Sequence, residues 1–332
     1  MLVNHNSSLD EALKRCDNEP VQFIGSIQSD GVLIAVDASD CVRVVSANLA
    51  DILHGKPEQA IGMSIVQVIG EMAWQVVCSL GALEQNQPPV PVMLPLQHGD
   101  DTLLRQAFVH RSETKVIIEI EGDTADHLTS QVDLDATSRV LSALLANTRN
   151  LQTYVVQLAQ QVQQLTGFDR VMVYQFDHQW NGQVIAESAH GQMDSFLGHH
   201  FPASDIPEPA RCLYAKNLVR MLSNRNAPSV ALVASPQTLA TLDLSYSVLR
   251  SMSPVHLVYL KNLGVVSSVS VSLLQHGKLW GLVVCHHRTP KRMPLKLRDS
   301  LELIARTAAI RLSALAFDAI PHAVKIDRFS NV

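Results

Sequence analysis

The side chains best suited to bind an anion lie in the second half of the chain. Ser268, Ser270 and Ser272 alternate with apolar residues, so a strand would place the three hydroxyls on one face. Such a row is either the solvent face of a sheet or the polar wall of a pocket for a carboxylate or phosphate. Arg220 and Arg250 would suit the same anion, although such charges are also typical of a solvated surface.

A histidine and a tyrosine share one face of a predicted helix. His256 and Tyr259 are three residues apart and follow the helix start signal Ser253-Pro254. Either both rings belong to a core, or they face a ligand that the helix covers. Asp205 opens another predicted helix, where an N-cap is a simpler role than a reactive group.

The cysteines indicate neither a disulfide framework nor a zinc site, because none of them forms a C-x-x-C pair. They are Cys16, Cys41, Cys78, Cys212 and Cys285. Cys285 and His286 are neighbours and would point to opposite faces of a strand, so they cannot form a nucleophile–base pair. The basic residues before Cys16 could activate its thiol and the acidic residues after it oppose this, which leaves an exposed nucleophile or a stray surface thiol.

The composition describes a globular chain that can bury two cores. Its 332 residues are 47% hydrophobic and 17% charged, and at about 150 residues per domain this predicts two domains. A net charge of −5 and the lack of a Lys/Arg run argue against a nucleic-acid binder. Because no stretch resembles a signal peptide or a membrane span, we expect a cytoplasmic protein.

Strands and helices are mixed in both halves of the chain. The elements expected in the first half are strands Gly31–Val36 and Val42–Ser46, a helix at 72–83, a proline-punctuated connection at 88–95, and strands at 107–109 and Lys115–Glu121. Those expected in the second half are a helix at 138–166 ended by Gly167, strands Arg170–Phe176 and 183–188, an irregular segment at 201–214 that becomes helical, a long excursion at 224–242, a helix at 253–264, a hairpin of 265–275 and 278–286, and a helix at 295–317. Without strict βαβ alternation, this order predicts antiparallel sheets and the α+β class.

Four ordered strings make the chain resemble the bacteriophytochromes over almost its whole length. They are Cys16-Asp-Asn-Glu-Pro20 with GSIQ at 25–28, Phe201-Pro-Ala-Ser-Asp-Ile-Pro207, LSYSVLRSMSPVHLVYLKNLG at 244–264, and LWGLVVCHH at 279–287. The resemblance implies a PAS domain at 16–125 and a GAF domain at 137–318, each an antiparallel sheet flanked by helices. Residues 1–15 would be an extension, 126–136 a linker and 319–332 a tail. It further implies a figure-of-eight knot, in which the segment before the PAS domain threads the 224–242 excursion near Ile27.

The resemblance also implies the chromophore biliverdin IXα, joined by a thioether to Cys16. Plant and cyanobacterial relatives carry the attachment cysteine immediately before the pocket histidine, where this chain has Val255. The implied contacts are Asp205 and His256 at the pyrrole nitrogens, with the Asp205 carboxylate near the D ring; Tyr214, Arg220 and Arg250 at the B-ring propionate; Ser253, Ser268 and Ser270 at the C-ring propionate; and Tyr174, Phe201, Tyr259 and His286 around the D ring. Ile206 and Pro207 are implied as further contacts. Ser29-Asp30 departs from the family's string and puts the packing of the threaded segment in doubt.

The implied function is red and far-red light sensing by Z-to-E isomerisation at the bilin C15=C16 bond, not enzymatic catalysis. Neither a PHY domain nor an output domain is recognisable, so we expect a sensory fragment or short form with incomplete photoconversion and near-infrared fluorescence. A homodimer through the GAF helices would use the apolar face Leu303, Ala305, Ala308, Leu312 and Leu315, which equally suits packing within one domain. Two alternatives remain: a GAF-type sensor of a cyclic nucleotide or haem, and an enzyme with Cys285 or Cys212 as nucleophile, which lacks a positioned base.

Overall fold

The structure is a computed structural model that describes residues 20–99, 101–122, 134–146, 150–191 and 193–318. It divides into two compact units. The first unit contains the described residues up to 122 together with Leu222–Leu263, and the second contains 134–221 together with 264–318. Residues 222–263, which interrupt the second unit in sequence, therefore pack with the first, and from here on the name excursion refers to this whole segment.

The first unit is built on a seven-stranded antiparallel sheet. Its strands are β1 (Ser26–Ile27), β2 (Gly31–Val36), β3 (Val42–Ser46), β4 (Val90–His98), β5 (Asp101–Ser112) and β6 (Lys115–Glu121), and the excursion adds a further one, Val230–Val233. Its helices before the excursion are α1 (Pro57–Ala60), α2 (Ile65–Ile69) and α3 (Glu71–Ser79). The order across the sheet is β1, the excursion strand, β3, β2, β6, β5 and β4.

Strand β2 forms because its run of apolar residues is covered on both faces. Val32, Ile34 and Val36 belong to the core beneath α1 to α3. Leu33 and Ala35 belong to a second core, which includes Leu232, Leu242, Leu244 and Leu249 of the excursion. A strand buried on both faces is apolar throughout rather than alternating, as β2 is. The predicted strands Gly31–Val36 and Val42–Ser46 are confirmed.

The connection expected at 88–95 is wrong from Val90 onwards, because Val90–His98 form strand β4. Its prolines, Pro91 and Pro95, cannot donate backbone hydrogen bonds. Since β4 lies at the edge of the sheet, one side of the strand needs no donors, and proline is tolerated there. The neighbouring strand β5 is correspondingly longer than the 107–109 segment that we expected.

Strand β1 has residues of the excursion on both of its sides. Ser26 and Ile27 pair antiparallel with Ala231 and Val230 on one side. On the other side, Ile27 forms a bridge with Arg250, and the Gln28 backbone N–H donates to the Leu249 carbonyl at 2.7 Å. Ile27 is fully buried. The excursion, which looked weakly patterned in sequence, thus contains ordered structure that includes a helix, Pro236–Thr241.

The second unit is built on a six-stranded sheet with helices on one face. Its strands, with the excursion strand counted as β11, are β7 (Arg170–Phe176), β8 (Gly182–Ala189), β9 (His200–Phe201), β10 (Val219–Leu222), β12 (Ser267–Gln275) and β13 (Lys278–His287). The remaining helices, with the excursion helix counted as α7, are α4 (Leu134–Leu145), α5 (Leu151–Thr166), α6 (Glu208–Lys216), α8 (Pro254–Asn262, in the first unit) and α9 (Leu295–Asp318). The order across the sheet is β10, β12, β13, β7, β8 and β9, antiparallel from β12 onwards.

The single helix expected at 138–166 is wrong, because the structure has two helices there. Asn150 begins the second, α5, and its side chain accepts from the backbone N–H groups of Gln152 and Thr153. Asparagine is a strong N-cap, so the chain can start a new helix at this point. Gly167 ends α5 in the left-handed conformation, as predicted. Helix α4 begins at Leu134, within the range expected to be linker, and most of that linker lies outside the described residues.

The hairpin of β12 and β13 matches its sequence signal. His276 and Gly277 both have positive φ, at 51° and 75°, which a two-residue hairpin turn requires. The predicted helix at 253–264 is confirmed as α8, with the Ser253 hydroxyl accepting from the Val255 N–H. The α+β class is confirmed by the two sheets and their helices.

Candidate functional site

The serine row of β12 lies on the face of the six-stranded sheet opposite the helices. Val269, Val271 and Leu273 enter the core that α4, α5 and α9 form with the sheet. Ser268, Ser270 and Ser272 point to the other face and are buried. The solvent-face alternative is therefore wrong, and the row forms a polar line on a covered surface.

Strand register extends the serine row across the sheet. Ser268 is paired with His286, and His286 is paired with Arg170. The next row contains Ser270, Val284 and Met172, and the third contains Ser272, Leu282 and Tyr174. Because alternate residues on a strand share a face, all nine side chains lie on the same side of the sheet. We call this side the serine face.

Arg170 is the most buried charge on the serine face, with 1% of its surface exposed. It donates to the Asp194 carbonyl at 2.8 Å and contacts His286 Nδ1 at 3.0 Å. Its Nε lies 3.9 Å from a carboxylate oxygen of Glu187, and its guanidinium lies 4.3 Å from the centre of the Phe196 ring. These contacts neutralise and hold a charge that would be costly to bury alone.

Glu187 organises the loop that carries Phe196. Its carboxylate accepts from the backbone N–H groups of Phe196 and Leu197 and from the Ser195 hydroxyl. The same carboxylate faces Arg170, so one buried anion fixes both the guanidinium and the loop.

Aromatic side chains form an apolar wall beside the three rows. Tyr174 lies 5.2 Å from Phe176 and 5.9 Å from Phe201, measured between ring centroids. Ile206 and Tyr214 pack against the same cluster. The predicted contacts Tyr174, Phe201, Ile206 and Tyr214 are thus brought together, and the Ser272 hydroxyl donates to the Tyr214 carbonyl at 2.7 Å.

Gly182 creates the space that the Tyr174 ring occupies. A Cβ atom at Gly182 would come within 1.7 Å of the Tyr174 ring and hydroxyl. No side chain larger than hydrogen fits there unless the tyrosine moves. Sequence reasoning missed this residue because Asn181-Gly182 is also an ordinary turn dipeptide.

Asp205 lies in a short 3-10 turn, Ala203–Asp205, rather than at the start of a helix. The predicted N-cap role is wrong, since helix α6 follows Pro207, which supplies no capping side chain. Partial burial raises the pKa of the Asp205 carboxyl. Arg211 donates to the carbonyl oxygens of Ala203 and Ile206, at 3.4 and 2.6 Å, and so holds the turn against α6.

Arg220 reaches the serine face from strand β10. Its neighbours Val219 and Met221 pack against the core between the sheet and helices α4, α5 and α9, which we call the helix-side core. Because side chains alternate along a strand, Arg220 points to the opposite face of the sheet. It is buried, and the expectation of a solvated surface charge is wrong for it. The predicted contacts Arg220, Ser268, Ser270 and His286 therefore share one face with the aromatic wall.

Four predicted contacts belong to the first unit. Arg250 is buried and donates to the Val21 carbonyl at 3.2 Å, so it is not a solvated charge either. Ser253 caps α8, and on that helix the rings of His256 and Tyr259 stack with their centroids 6.0 Å apart. The prediction that these two rings share a face is confirmed.

The first unit contains a buried carboxylate that sequence reasoning missed. Glu119 accepts from the Ser247 hydroxyl at 2.7 Å and from the backbone N–H groups of Val248 and Leu249 at 3.0 and 2.6 Å. It lies 3.7 Å from His110, whose pKa is lowered to about 4 by burial. Glu119 thereby fixes the chain immediately before Arg250.

The cysteines give no support to a thiol enzyme. Cys285 lies in the helix-side core, where burial raises its pKa to about 12, and His286 points to the opposite face. At neutral pH a thiol in this environment stays protonated and is a poor nucleophile. Cys212 is exposed. Cys16, the predicted attachment point, lies outside the described residues.

Neither a metal cluster nor a bilayer-spanning element is found in the ranges that the structure covers. Among the residues described, no group of three or more His, Cys, Asp or Glu side chains is arranged to hold a metal ion. No helix there combines the length and apolar content needed to cross a membrane.

The apolar face expected to form a dimer is mostly used inside the second unit. Ala305, Ala308, Leu312 and Leu315 are buried in the core under the sheet, so for them packing within one domain is the confirmed alternative. Leu303 and Ile310, seven residues apart on the same helix, are 49% and 73% exposed.

Comparison with known proteins agrees with this two-unit architecture. The family model of the PAS fold matches residues 16–123, and that of the GAF domain matches 150–314. The chromophore-binding domain of a bacteriophytochrome from R. palustris superposes with a TM-score of 0.80 at 32% sequence identity, over 91% of this chain and 99% of that domain. The chain belongs to the phytochrome family. It corresponds to the PAS–GAF photosensory part of that family.

Curated relatives from two bacterial groups are also similar to the chain. A bacteriophytochrome from Pseudomonas aeruginosa is 32% identical over 95% of this chain and 42% of its own length. Cyanobacterial phytochrome B from Nostoc is 35% identical over 91% of this chain and 41% of its own length. The chain spans about two-fifths of the length of these curated relatives.

Proposed function

We propose that this chain is the light-sensing part of a bacteriophytochrome that binds biliverdin IXα through a thioether to Cys16. The observation that carries the proposal is the serine face, where buried serines, Arg220 and His286 adjoin an apolar aromatic wall. A long apolar molecule with two carboxylates needs this combination of surfaces. Bound bilin would supply light-driven Z-to-E isomerisation of its C15=C16 bond.

The proposed roles in the second unit follow from the chemistry of each group. Arg220 would pair with the B-ring propionate beside Tyr214, because a guanidinium binds carboxylates through paired donors. Ser268 and Ser270 would donate hydroxyl hydrogens to the C-ring propionate. Tyr174 and Phe201 would wall the D ring, with His286 reaching its carbonyl.

The backbone carbonyl of Asp205, in its 3-10 turn, would hold the pyrrole nitrogens, and its carboxylate would lie near the D ring, with Ile206 and Pro207 as further contacts. Two observations support this role: the turn carries a carboxyl, and Arg211 fixes the backbone around it. A carboxylate and carbonyl groups near a protonated bilin would favour its cationic form.

We further propose that four residues of the first unit contact the chromophore, as the resemblance implies. Arg250 would serve the B-ring propionate and Ser253 the C-ring propionate. His256 would bond the pyrrole–water network, and Tyr259 would adjoin the D ring.

The choice of biliverdin rests on the attachment residue. Val255, which is 54% exposed, occupies the place where plant and cyanobacterial relatives carry the attachment cysteine. The string around Cys16 matches the bacteriophytochrome pattern instead. For the polypeptide of these residues tested alone, we further propose incomplete photoconversion with competing near-infrared fluorescence, in a cytoplasmic setting.

Two structural proposals accompany the function. The excursion lies on both sides of β1, which supports the figure-of-eight knot near Ile27. The exposed Leu303 and Ile310 support a homodimer through the GAF helices. Sedimentation velocity of wild type and of Leu303→Glu/Ile310→Glu checks the dimer, which we expect the double change to dissociate.

The test of the function is an absorption spectrum after biliverdin is added to the purified chain, in wild type, Cys16→Ser and Cys212→Ser. Cys212→Ser is a matched control because that thiol is exposed. We expect a sharp red band in wild type and in the control, and zinc-induced bilin fluorescence on denaturing gels in both. Cys16→Ser should lose the covalent bilin.

No red band in any variant would reject the bilin and favour a GAF-type sensor of a cyclic nucleotide or haem. Covalent bilin in Cys16→Ser would move the attachment elsewhere.

A further inference from the structure

We propose that Arg170 is a positioning residue that holds His286 as the neutral tautomer with its proton on Nε2, and so makes the imidazole a fixed hydrogen-bond donor. The identity of the acceptor, the D-ring carbonyl, rests on the proposed function. The tautomer itself does not, because it follows from contacts within the second unit.

The direction of the Arg170–His286 hydrogen bond is fixed by chemistry. The two nitrogens are 3.0 Å apart, and a guanidinium has five N–H donors and no acceptor. Nδ1 of His286 must therefore accept, which requires an unprotonated Nδ1. A neutral imidazole then carries its single proton on Nε2. Imidazolium would set an N–H against a guanidinium N–H, so the contact also disfavours the charged ring.

Arg170 cannot easily turn away from His286. The Asp194 carbonyl accepts a hydrogen bond from a second guanidinium nitrogen at 2.8 Å. The Glu187 carboxylate lies beside the Nε, and the Phe196 ring packs against the guanidinium group. The side chain starts from a central strand and is 1% exposed. Such outer contacts commonly set the tautomer and orientation of a functional histidine.

A fixed donor discriminates between the two polar groups of a lactam ring. The carbonyl oxygen of such a ring can accept from Nε2–H, whereas its ring N–H cannot. Arg170 would thus determine which edge of the terminal ring His286 recognises, without touching the ring itself. This specificity would be lost if the imidazole could exchange its two tautomers.

The first experiment measures the tautomer directly, in the ¹⁵N-labelled chain before biliverdin is added. Long-range ¹H–¹⁵N correlation spectra distinguish the two neutral imidazole tautomers and imidazolium. Loss of one histidine pattern in His286→Gln assigns the signal. We expect His286 as a single Nε2–H tautomer from pH 6 to 8, and a mixture or a titrating ring in Arg170→Met. A proton on Nδ1 or a charged ring in wild type would overturn the proposal.

Two further variants separate this role from a merely structural one. Arg170→Gln places an amide there that can accept as well as donate, and serves if Arg170→Met does not fold. Arg288→Met removes a largely exposed arginine that pairs with Asp169, and should leave the His286 pattern unchanged. An unaltered His286 tautomer in folded Arg170→Met or Arg170→Gln would also overturn the proposal.

The second experiment tests the link to the chromophore by a double-mutant cycle on the red band of biliverdin-loaded protein. If Arg170 acts through His286, replacing Arg170 has no further effect once His286 is gone, so the double variant should have the band position of His286→Gln alone. Additive shifts would contradict action through His286. Absence of a red band in wild type would reject the proposed function, while the tautomer result would stand.

Discussion

Glu119 in the first unit and Arg170 in the second are buried charged side chains beside a histidine, and the two charges are satisfied in different ways. In the first unit, Glu119 accepts from one hydroxyl and two backbone N–H groups, while His110 lies 3.7 Å away. In the second unit, Arg170 donates to a backbone carbonyl and to His286, and faces Glu187 at 3.9 Å. The first histidine is a neighbour of the charge, whereas the second is its hydrogen-bond partner.

The hydrogen bonds of Glu119 form a structural network, whereas those of Arg170 lead to His286, a proposed contact of the chromophore. The partners of Glu119 are consecutive residues of the excursion, so this carboxylate holds distant parts of the chain together. The partners of Arg170 include a histidine in the same row as Ser268, on the face proposed to bind the chromophore. Changes to Glu119 should therefore affect stability first, and changes to Arg170 should affect recognition first.

The largest effect that we expect is from Glu119→Ala. The change leaves the N–H groups of Val248 and Leu249 buried without their acceptor, which costs about 4 kcal/mol in the free energy of unfolding. Urea unfolding of the purified chain measures it. Glu84→Ala, at an exposed site, is the control and should stay within about 0.5 kcal/mol of wild type. A loss below about 1 kcal/mol for Glu119→Ala would mean that the excursion does not depend on this anchor.

The second effect concerns His110 and pH. Burial lowers the His110 pKa to about 4 in the folded chain, against 6.5 as the ordinary value. Between these values the unfolded state binds more protons, so the free energy of unfolding rises with pH and falls on acidification. The loss from pH 7.5 to pH 5 should be about 2 kcal/mol from this group. His110→Leu removes the group, and its unfolding free energy should depend less on pH by that amount.

The control for this pH dependence is His178→Gln, at an exposed histidine. Its pH profile should follow that of wild type. A His110→Leu profile parallel to that of wild type would show that His110 does not resist protonation in the folded state. His110 would then respond to pH as an exposed histidine does.

Sequence alone predicted the elements that local signals determine. β2, β3 and β7 are apolar runs, and the β12–β13 hairpin carries its turn residues in the sequence. The family strings supplied the candidate contacts of the serine face. Burial of the serines could not be predicted, because the strand pattern fits a solvent face equally well.

The elements that sequence missed depend on partners far away along the chain. In KVIIEIE, the alternation of Glu119 with isoleucines indicates a solvent face, but its partners lie 128 to 130 residues later. Arg170 begins an apolar strand and would ordinarily be a surface charge. Its burial depends on the loop that Glu187 folds over it. Neither long-range contact leaves a periodic signal.

The third effect concerns how closely the Tyr174 ring of the serine face packs against Gly182. Gly182→Ala forces the Tyr174 ring from its position, and such overpacking costs about 2 kcal/mol. We expect a lower unfolding free energy and a shifted red band in biliverdin-loaded protein. In Gly182→Ala/Tyr174→Leu the shorter side chain removes the clash, so the double variant should be more stable than the sum of the two single changes predicts. Additive losses would mean that the ring is not held against Gly182.

The smallest effects are expected from two serines of β12 to which we assign different roles. Ser272 stabilises the fold, and Ser270 binds the ligand. The Ser272 hydroxyl donates to the Tyr214 carbonyl, so Ser272→Ala should lower the free energy of unfolding by about 1 kcal/mol and leave the red band in place. Ser270→Ala, one row nearer to His286, should change stability by less than about 0.5 kcal/mol but weaken biliverdin retention after Cys16→Ser removes the covalent bond. Equal behaviour of the two variants in both measurements would contradict this division. Opposite behaviour would place the anion of the ligand at Ser272, in the row of Leu282 and Tyr174, and would require the chromophore to lie one row further from Arg170 than we propose.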